Sequence, residues 1–499
     1  MASQYRLRTR FPPRAEREAS ACREPAARER QGRLDLRERL VFTIDPEDAR
    51  DHDDALSVER LATHRYEIGV HIADVSHYVT AGSALDAEAR ERGTSTYLPG
   101  GVIPMLPEAL SSDLCSLRPD RDRLAMSLLA ELDANGRTHR FRFAETVVRS
   151  RHRLHYGEVQ EALEGKRHLE RRLQTALETL RDLARALRRQ RRASGALELD
   201  IPEVKAWVDV NGDPIRIERR EHLESHELIE EFMLLANRCV GAEGARRGAG
   251  MLYRVHDPPS PARLEELDRA LKALGLPRPG DLGDPAVALQ GLLAVALDAP
   301  HRRLLHRMVL RSLARARYSE RDTGHFGLGC HEYCHFTSPI RRYPDLHNHA
   351  RVREWIRGQR DAAWDPVALM ELAERSSAME QISTDAEREA TRVKGLRVLQ
   401  GRLGDRLSGM IAGLVPRGVF VELDDPPVEG FVRVAQELDD QFVLDASGVR
   451  LVGRRTRRRF TLGDPVRVVV ARVDVPAREC DFALETEAKR PRHRRKGRN

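Results

Sequence analysis

The sequence predicts an α+β fold, a block of mixed sheet and helices followed by a small barrel of five short strands. Three observations carry that expectation. Near the N-terminus, β-prone runs alternate with turns, from Leu40-Val41-Phe42-Thr43-Ile44 through 55–60 and 66–72. In the middle, leucines recur at helical spacing among Arg and Glu. Near the C-terminus, short apolar runs crowd into roughly 80 residues, the density expected of a small closed barrel.

Taken in order, residues 1–40 are rich in Arg and Glu, carry Pro12-Pro13, and form a charged lead-in expected to have no core of its own. A central block runs over 41–400. Leu173, Leu177, Leu180, Leu183 and Leu187 place an amphipathic helix over 158–192, ending before Gly195. A second helix at 224–240 lines up Leu228, Phe232, Leu235 and Ala236. Residues 261–313 and 366–400 are largely helical. The stretch 383–404 reads as a charge-rich linker to the barrel block at 403–487. There, 405–423 gives two strands broken at Pro416-Arg417-Gly418, followed by strands at 428–434, 449–453 and 465–474. A basic tail, 488–499, closes the chain.

At 499 residues the chain is long enough for more than one domain. It has no eighteen-residue apolar run, so a membrane span is not expected. Its start lacks the apolar region of a secretory leader. Six cysteines are too few for a disulfide framework in so long a chain, which fits a reducing, cytoplasmic compartment. Lys plus Arg (85) only slightly exceeds Asp plus Glu (78), so the net charge of +7 points weakly to a polyanionic partner. The runs Arg454–Arg459 and Lys489–Asn499 point there more strongly, although each taken alone reads as a solvated basic segment.

The strongest chemical signal is the loop Asp45-Pro46-Glu47-Asp48-Ala49-Arg50-Asp51-His52-Asp53-Asp54, six of whose ten residues are acids. Carboxylates packed this closely raise one another's pKa unless a cation shares them. Oxygen-only donors select hard ions such as Mg²⁺ or Mn²⁺. Such ions can activate water and stabilise a leaving oxygen in phosphodiester hydrolysis. An EF-hand is excluded, because a loop starting at Asp51 would place Ala55 and Leu56 where a ligand and a glycine belong. The tetrad Asp51 to Asp54 also looks like an acid motif of terpene cyclases, but 5% aromatic residues cannot line that cavity. A solvated acidic turn remains the bland alternative.

The run Thr43 to Ser57, which contains this loop, resembles the signature of the RNase II/RNase R (RNB) family. Further segments agree in order: Gly69 to Val79, Gly93 to Gly100, Ile103 to Pro107, Leu114 to Leu117, Leu228 to Met233, Arg254 to Asp257 and His335 to Asp345. The RNase R branch is the nearer, notably at Arg254 to Ser260. The last block resembles an S1-type RNA-binding barrel of the OB kind.

This resemblance implies an RNB catalytic domain followed by an S1-type domain. It implies a magnesium-dependent exoribonuclease (Mn²⁺ as the alternative ion) that degrades single-stranded RNA from its 3′ end to nucleoside 5′-monophosphates. Asp45, Asp51, Asp53 and Asp54 match the family's catalytic aspartates, and Asp45, Asp51 and Asp54 are the expected metal ligands. Tyr97 matches an aromatic that stacks on the 3′ base. Arg341 matches the arginine on the scissile phosphate. Arg342 and Glu387 are expected near the substrate, and Phe420, between Arg417 and Phe431, is expected to stack on RNA. Family members usually carry two cold-shock-type domains ahead of the catalytic block, and about forty residues precede it here, too few for one such fold. A monomer is expected. The competing reading is a catalytically silent RNA-binding protein on the same fold; a third is a metal-dependent DNase.

Other candidates read as structure. Cys330-His331-Glu332-Tyr333-Cys334-His335 has zinc-like spacing, but four ligands in six residues must all converge. His71, Asp74 and His77 suit a packed strand and turn, and His226-Glu227 a helix start.

Overall fold

The computed structural model describes residues 1–485 apart from 63, 279, 281–282, 296–298 and 360–363. The basic tail at 488–499 lies outside the described residues.

One six-stranded sheet organises the first block. Its strands are β1 (Leu34–Asp35), β2 (Val41–Asp45), β3 (Asp54–Ala62) and β4 (Arg65–Ala73), joined, after a separate hairpin of β5 (Thr96–Leu98) and β6 (Gly101–Ile103), by β7 (Asp122–Asp133) and β8 (Thr138–His155). The order is β1-β8-β2-β3-β4-β7, and β8 also pairs with β7, so the sheet curls back on itself. Strands β2 to β4 match the sequence reading. Strands β7 and β8 were not expected there. In β8 the arginines of Thr138 to His155 mask the apolar alternation, because several sit in ion pairs, as Arg149 does with Asp122 at 2.6 Å.

The helices before the barrel begin with α1 (Pro13–Ala21), α2 (Ala27–Arg30), α3 (Val75–Tyr78), α4 (Ala84–Arg92), α5 (Tyr156–Leu163), α6 (Arg171–Ala193) and α7 (Glu224–Arg247). The helix predicted over 158–192 is thus two, parted at Gly165, whose φ of +73° favours a residue without a side chain. The leucine stripe of α6 and the apolar face of α7 cover one side of the sheet, where Leu177, Leu180 and Phe232 meet Phe42, Leu56 and Ile72. On the other side Val41, Ala55 and Ala73 enter a second core, which α1 joins by packing on α4. Ala15 and Ala19 are fully or almost fully buried, and Arg33 is ion-paired to Asp74 at 2.8 Å, so the lead-in expected to lack a core of its own is built into this one.

A hairpin of β9 (Glu203–Val208) and β10 (Pro214–Arg220) follows α6 in sequence, and the short ladder β11 (Tyr253–Val255) with β12 (Arg317–Ser319) comes later. Helices α8 (Pro261–Leu274), α9 (Pro285–Leu293) and α10 (Ala299–Ser312) form a satellite core. Then come α11 (Tyr343–Ile356) and α12 (Pro366–Gln400). Asp365 caps α12 by accepting from Val367 N, and Pro366 opens its first turn. The helix runs unbroken for 35 residues, so the linker expected at 383–404 does not exist as such. Leu372 and Ala373 pack in the core of the first block, whereas Leu396 and Leu399 belong to the core of the barrel.

The barrel closes in the order β13-β14-β15-β20-β19, from Arg406–Val415, Gly418–Leu423, Glu429–Val432, Glu479–Leu484 and Pro465–Asp474. Five strands were expected, but the run at 449–453 is not one of them. It forms β17 (Arg450–Gly453) of an inserted sheet with β16 (Phe442–Leu444) and β18 (Arg459–Thr461), which follows the short α13 (Val434–Glu437). Strand β20 takes the fifth place in the barrel.

Candidate active site

The acidic loop spans the gap between β2 and β3, so Asp45 ends one strand and Asp54 begins its neighbour. Strand ends fix both backbones. The loop itself is pinned from within: His52 N donates to Ser116 Oγ at 3.0 Å, and that hydroxyl donates to Arg50 O at 2.9 Å. Asp45 Oδ2 meets His52 Nδ1 at 2.7 Å. Asp51 Oδ2 accepts from the Tyr97 hydroxyl at 2.9 Å. Asp53 Oδ1 accepts from Ile340 N at 2.9 Å.

Asp53 is 4% exposed, and its second oxygen is buried without a hydrogen-bond partner, 3.5 Å from Arg341 Nε. Burial pushes its carboxyl well above the usual range; Arg341 and the Ile340 amide oppose this, while Asp51 and Asp54 add to it. Burial, followed by the charge of Asp45, likewise raises Asp54 to about 7, against Arg341 and Arg342. Among the described residues no three Cys, His, Asp or Glu side chains form a ready-made metal site. The donor set nonetheless fits a hard cation. Four carboxylates share one pocket, two of them are pushed up by crowding and burial, and one buried oxygen has no donor.

Arg341 and Tyr97 are brought to this loop from distant segments. Gly93 ends α4 with φ +69°, and a Cβ there would strike the Met379 side chain on α12 at 2.7 Å. The chain can then turn so that Thr94 Oγ1 and Ser95 N both donate to Arg341 O, at 3.0 and 2.9 Å. The Arg341 side chain is 42% exposed and steadied by its bond to Ser338 Oγ. Two residues past Ser95, Tyr97 donates its amide to Glu387 Oε1 of α12 at 2.6 Å. Burial raises the Glu387 carboxyl, partly offset by Tyr97 N and Ser383. The Tyr97 ring remains 38% exposed.

The structure therefore joins Asp45, Asp51, Asp53, Asp54, Tyr97, Arg341 and Glu387 in one constellation. Arg342 departs from expectation. Its guanidinium turns inward to Asp345, fully buried at the start of α11, at 2.8 Å, and it bears on the site through its charge rather than as an open contact. Phe420 lies on the barrel, half-buried, with its ring centroid 4.9 Å from that of Phe431 and Arg433 over the latter. Two residues on, Glu422 binds Arg219 of β10 at 2.7 Å and also Arg307 of α10. This face of β14 therefore turns toward the catalytic block. The Cys330 to His335 segment holds no convergent ligands: Cys334 is buried with Sγ 3.6 Å from Asn237 O, and His335 Nδ1 bonds Tyr318 OH at 2.9 Å.

Sequence reasoning missed Tyr156. It opens α5 directly after β8 and stacks on His226 at 4.0 Å. Burial and then the charges of Asp54 and Asp45 oppose its ionisation, so it stands at the wall of the acidic pocket. It has no local pattern; only the packing of α5 on α7 reveals it.

Comparison with known proteins agrees with this architecture. The RNB domain matches residues 33–358 and the S1 RNA binding domain residues 402–485. Ribonuclease R of Aquifex aeolicus is 39% identical over 487 residues, covering 96% of this chain and 69% of its own length. A solved structure described as Mycoplasma genitalium RNase R in complex with ribose methylated single-stranded RNA superposes with a TM-score of 0.91 at 28% identity, over 97% of this chain and 77% of that one. The yeast protein Ssd1, described as a pseudonuclease, shares the fold at a TM-score of 0.71 and 19% identity, over 86% of this chain and 54% of that one.

Proposed function

Because the chain belongs to the RNB-domain ribonucleases of the ribonuclease R type, we propose that it is a hydrolytic 3′-to-5′ exoribonuclease acting on single-stranded RNA. The observation that carries this reading is the carboxylate cluster with its one unpartnered buried oxygen on Asp53, faced by Arg341. Asp45, Asp51 and Asp54 would hold a divalent cation, Mg²⁺ or Mn²⁺. When bound it would supply Lewis-acid polarisation and a water of lowered pKa. Arg341 carries the charge that develops on the scissile phosphate. Tyr97 stacks on the 3′ base through its exposed ring, and Glu387 fixes that ring by holding the backbone amide beneath it. The terminal nucleotide is thereby held at a set distance from the aspartates, which favours release of nucleoside 5′-monophosphates one at a time.

Residues 41–400 act as the catalytic unit and 403–487 as an RNA-binding unit in which Phe420 stacks on the incoming strand. The same proposal takes the protein to act as a monomer in the cytoplasm. No helix among the described residues is long and apolar enough to cross a membrane. A catalytically silent RNA binder is the second reading, favoured by the fold-level likeness to a pseudonuclease. The four aspartates and Arg341 weigh against it. Incubating a 5′-labelled RNA, and DNA of the same sequence, with and without EDTA tests the proposal. The expected result is a ladder shortening from the 3′ end of RNA only, abolished by EDTA and restored by Mg²⁺ or Mn²⁺. Cleavage from the 5′ end, or equal loss of DNA, would overturn it.

A further inference from the structure

The sheet inserted into the barrel block ends in a turn crowded with arginines. Many arginines elsewhere are ion-paired, as Arg30, Arg33, Arg37 and Arg39 are with carboxylates at 2.6–2.8 Å. Between β17 and β18, Arg454, Arg457, Arg458 and Arg459 are all exposed, and none pairs with a carboxylate among the described residues. Arg458 lies over the Phe460 ring, and Arg455 donates to Leu438 O and Asp439 O. Crowding like charges costs free energy in water, yet the turn holds them in fixed positions rather than letting them spread.

The fixing is done by the backbone. Asp440 accepts from Arg455 N at 2.9 Å, Thr456 N at 2.7 Å and Thr456 Oγ1 at 2.6 Å. Gly453 closes the turn by donating to Arg458 O at 2.9 Å and accepting from Arg457 N at 3.2 Å. Arg457 takes φ +57°, a conformation that costs a side-chain-bearing residue about 1 kcal/mol. The other end of the ribbon is anchored on the catalytic block: Val449 is buried in the α8–α10 core, and Arg450 donates to Ala273 O. Four residues of β17 separate anchor from tip, about 13 Å of strand. The basic tip is therefore tied to the α8–α10 core through a short strand.

We propose that this turn is a phosphate-binding site for the RNA backbone, separate from the face of the barrel that carries Phe420, and that it engages nucleotides upstream of those in the catalytic pocket. The inference rests on the chain being an RNA-degrading enzyme but assigns a contact which that activity does not require. Three free guanidinia, Arg454, Arg457 and Arg459, would each neutralise a phosphate, and a single strand gives a salt slope of about 0.7 per contact. The contribution vanishes near 1 M salt, so at 0.15 M three contacts amount to about a 50-fold gain in affinity.

The test uses full-length protein carrying Asp53→Asn throughout so that RNA persists, with binding read by anisotropy across a salt series. A single-stranded RNA of about 25 nucleotides is compared with one of about five, which is too short to pass beyond one binding fold. Arg454→Gln/Arg457→Gln/Arg459→Gln should weaken the long RNA about 50-fold, lower the salt slope by about 2 and leave the short RNA unchanged. Asp440→Ala is the second arm. It removes a negative charge and so raises the local net charge by one; a diffuse basic surface would therefore bind more tightly, whereas a built site loses its geometry and binds more weakly. Unchanged long-RNA affinity and slope, tighter binding by Asp440→Ala, or an equal loss for both RNAs would each overturn the proposal. If the parent binds neither RNA, the ribonuclease reading beneath it fails instead.

Discussion

Tyr97 offers a perturbation whose parts can be separated. The residue is partly exposed beside the acidic loop, its hydroxyl donates to Asp51, and its amide is held by Glu387. Tyr97→Ala removes the stacking surface, worth about 1–3 kcal/mol per base, so kcat/KM on single-stranded RNA should fall about 5- to 150-fold. Tyr97→Phe keeps the ring and loses only one hydrogen bond, which is exposed and so contributes about 0.5–1 kcal/mol, a two- to five-fold effect. Single-turnover decay of a 5′-labelled RNA measures both. The alanine protein should also stop at a longer residual fragment, since the 3′ base is no longer held at its set distance. If phenylalanine is as damaging as alanine, the hydroxyl and its carboxylate, not stacking, are what the site needs. If neither variant changes the rate, Tyr97 does not touch the substrate.

Other predictions follow from the same contacts. Glu387→Ala leaves the Tyr97 amide without its acceptor, and activity should fall roughly ten-fold while the melting temperature barely moves; a loss of stability equal to the loss of activity would make Glu387 merely structural. Asp74 is fully buried between Arg33 and Arg353, and those two charges outweigh burial to hold its carboxyl far below the usual range. Among the described residues, Asp74→Asn leaves them only Glu145 as a carboxylate partner, at 3.3 and 3.5 Å, and urea unfolding should register a loss of about 3 kcal/mol; a change under 1 kcal/mol would show the network to be idle. Burial drives His71 down to about 3 and His349 to about 4, while the unfolded chain titrates near 6.5. Below that value only the unfolded state takes up these protons. Their contribution is therefore complete above about pH 6.5 and is lost as pH falls, about 4 kcal/mol for the pair by pH 5. Denaturant midpoints that stay flat from pH 7 to 5 would contradict the neutral buried state of these rings.

The acidic loop was legible because its chemistry is local: its acids lie in one stretch between two apolar runs. The helices α6 and α7 were legible from their apolar stripes, and β13 and β14 from the turn at Pro416 to Gly418; α12 was read as helical but its second half also as a linker. What stayed hidden depends on contacts between distant segments. Strand β8 carries too many paired arginines to show its period. The insertion of β16 to β18 could not be told from barrel strands, since a short apolar run looks the same in either sheet. Arg341 has no local signal, and its place is set by Thr94 and Ser95, some 250 residues earlier. Arg342 was misjudged because sequence proximity to Arg341 says nothing of direction; Asp345, three residues on, turns it inward. Tyr156 emerges only when α5 packs on α7.

The central claim is that the aspartate cluster performs hydrolysis on a chain that also holds RNA. It is tested most directly by comparing the wild-type protein with Asp53→Asn, which keeps an acceptor for the Ile340 amide but removes the buried charge facing Arg341. A 5′-labelled single-stranded RNA is followed with Mg²⁺ for cleavage and, with both proteins, for binding. The account predicts a 3′-end ladder for the wild type, a loss of at least a thousand-fold in rate for Asp53→Asn, taking the buried charge as worth about 4 kcal/mol or more to the transition state, and RNA binding retained by both. A wild-type protein that binds RNA but leaves it intact under Mg²⁺ and Mn²⁺, or an Asp53→Asn protein that cuts at the wild-type rate, would contradict it.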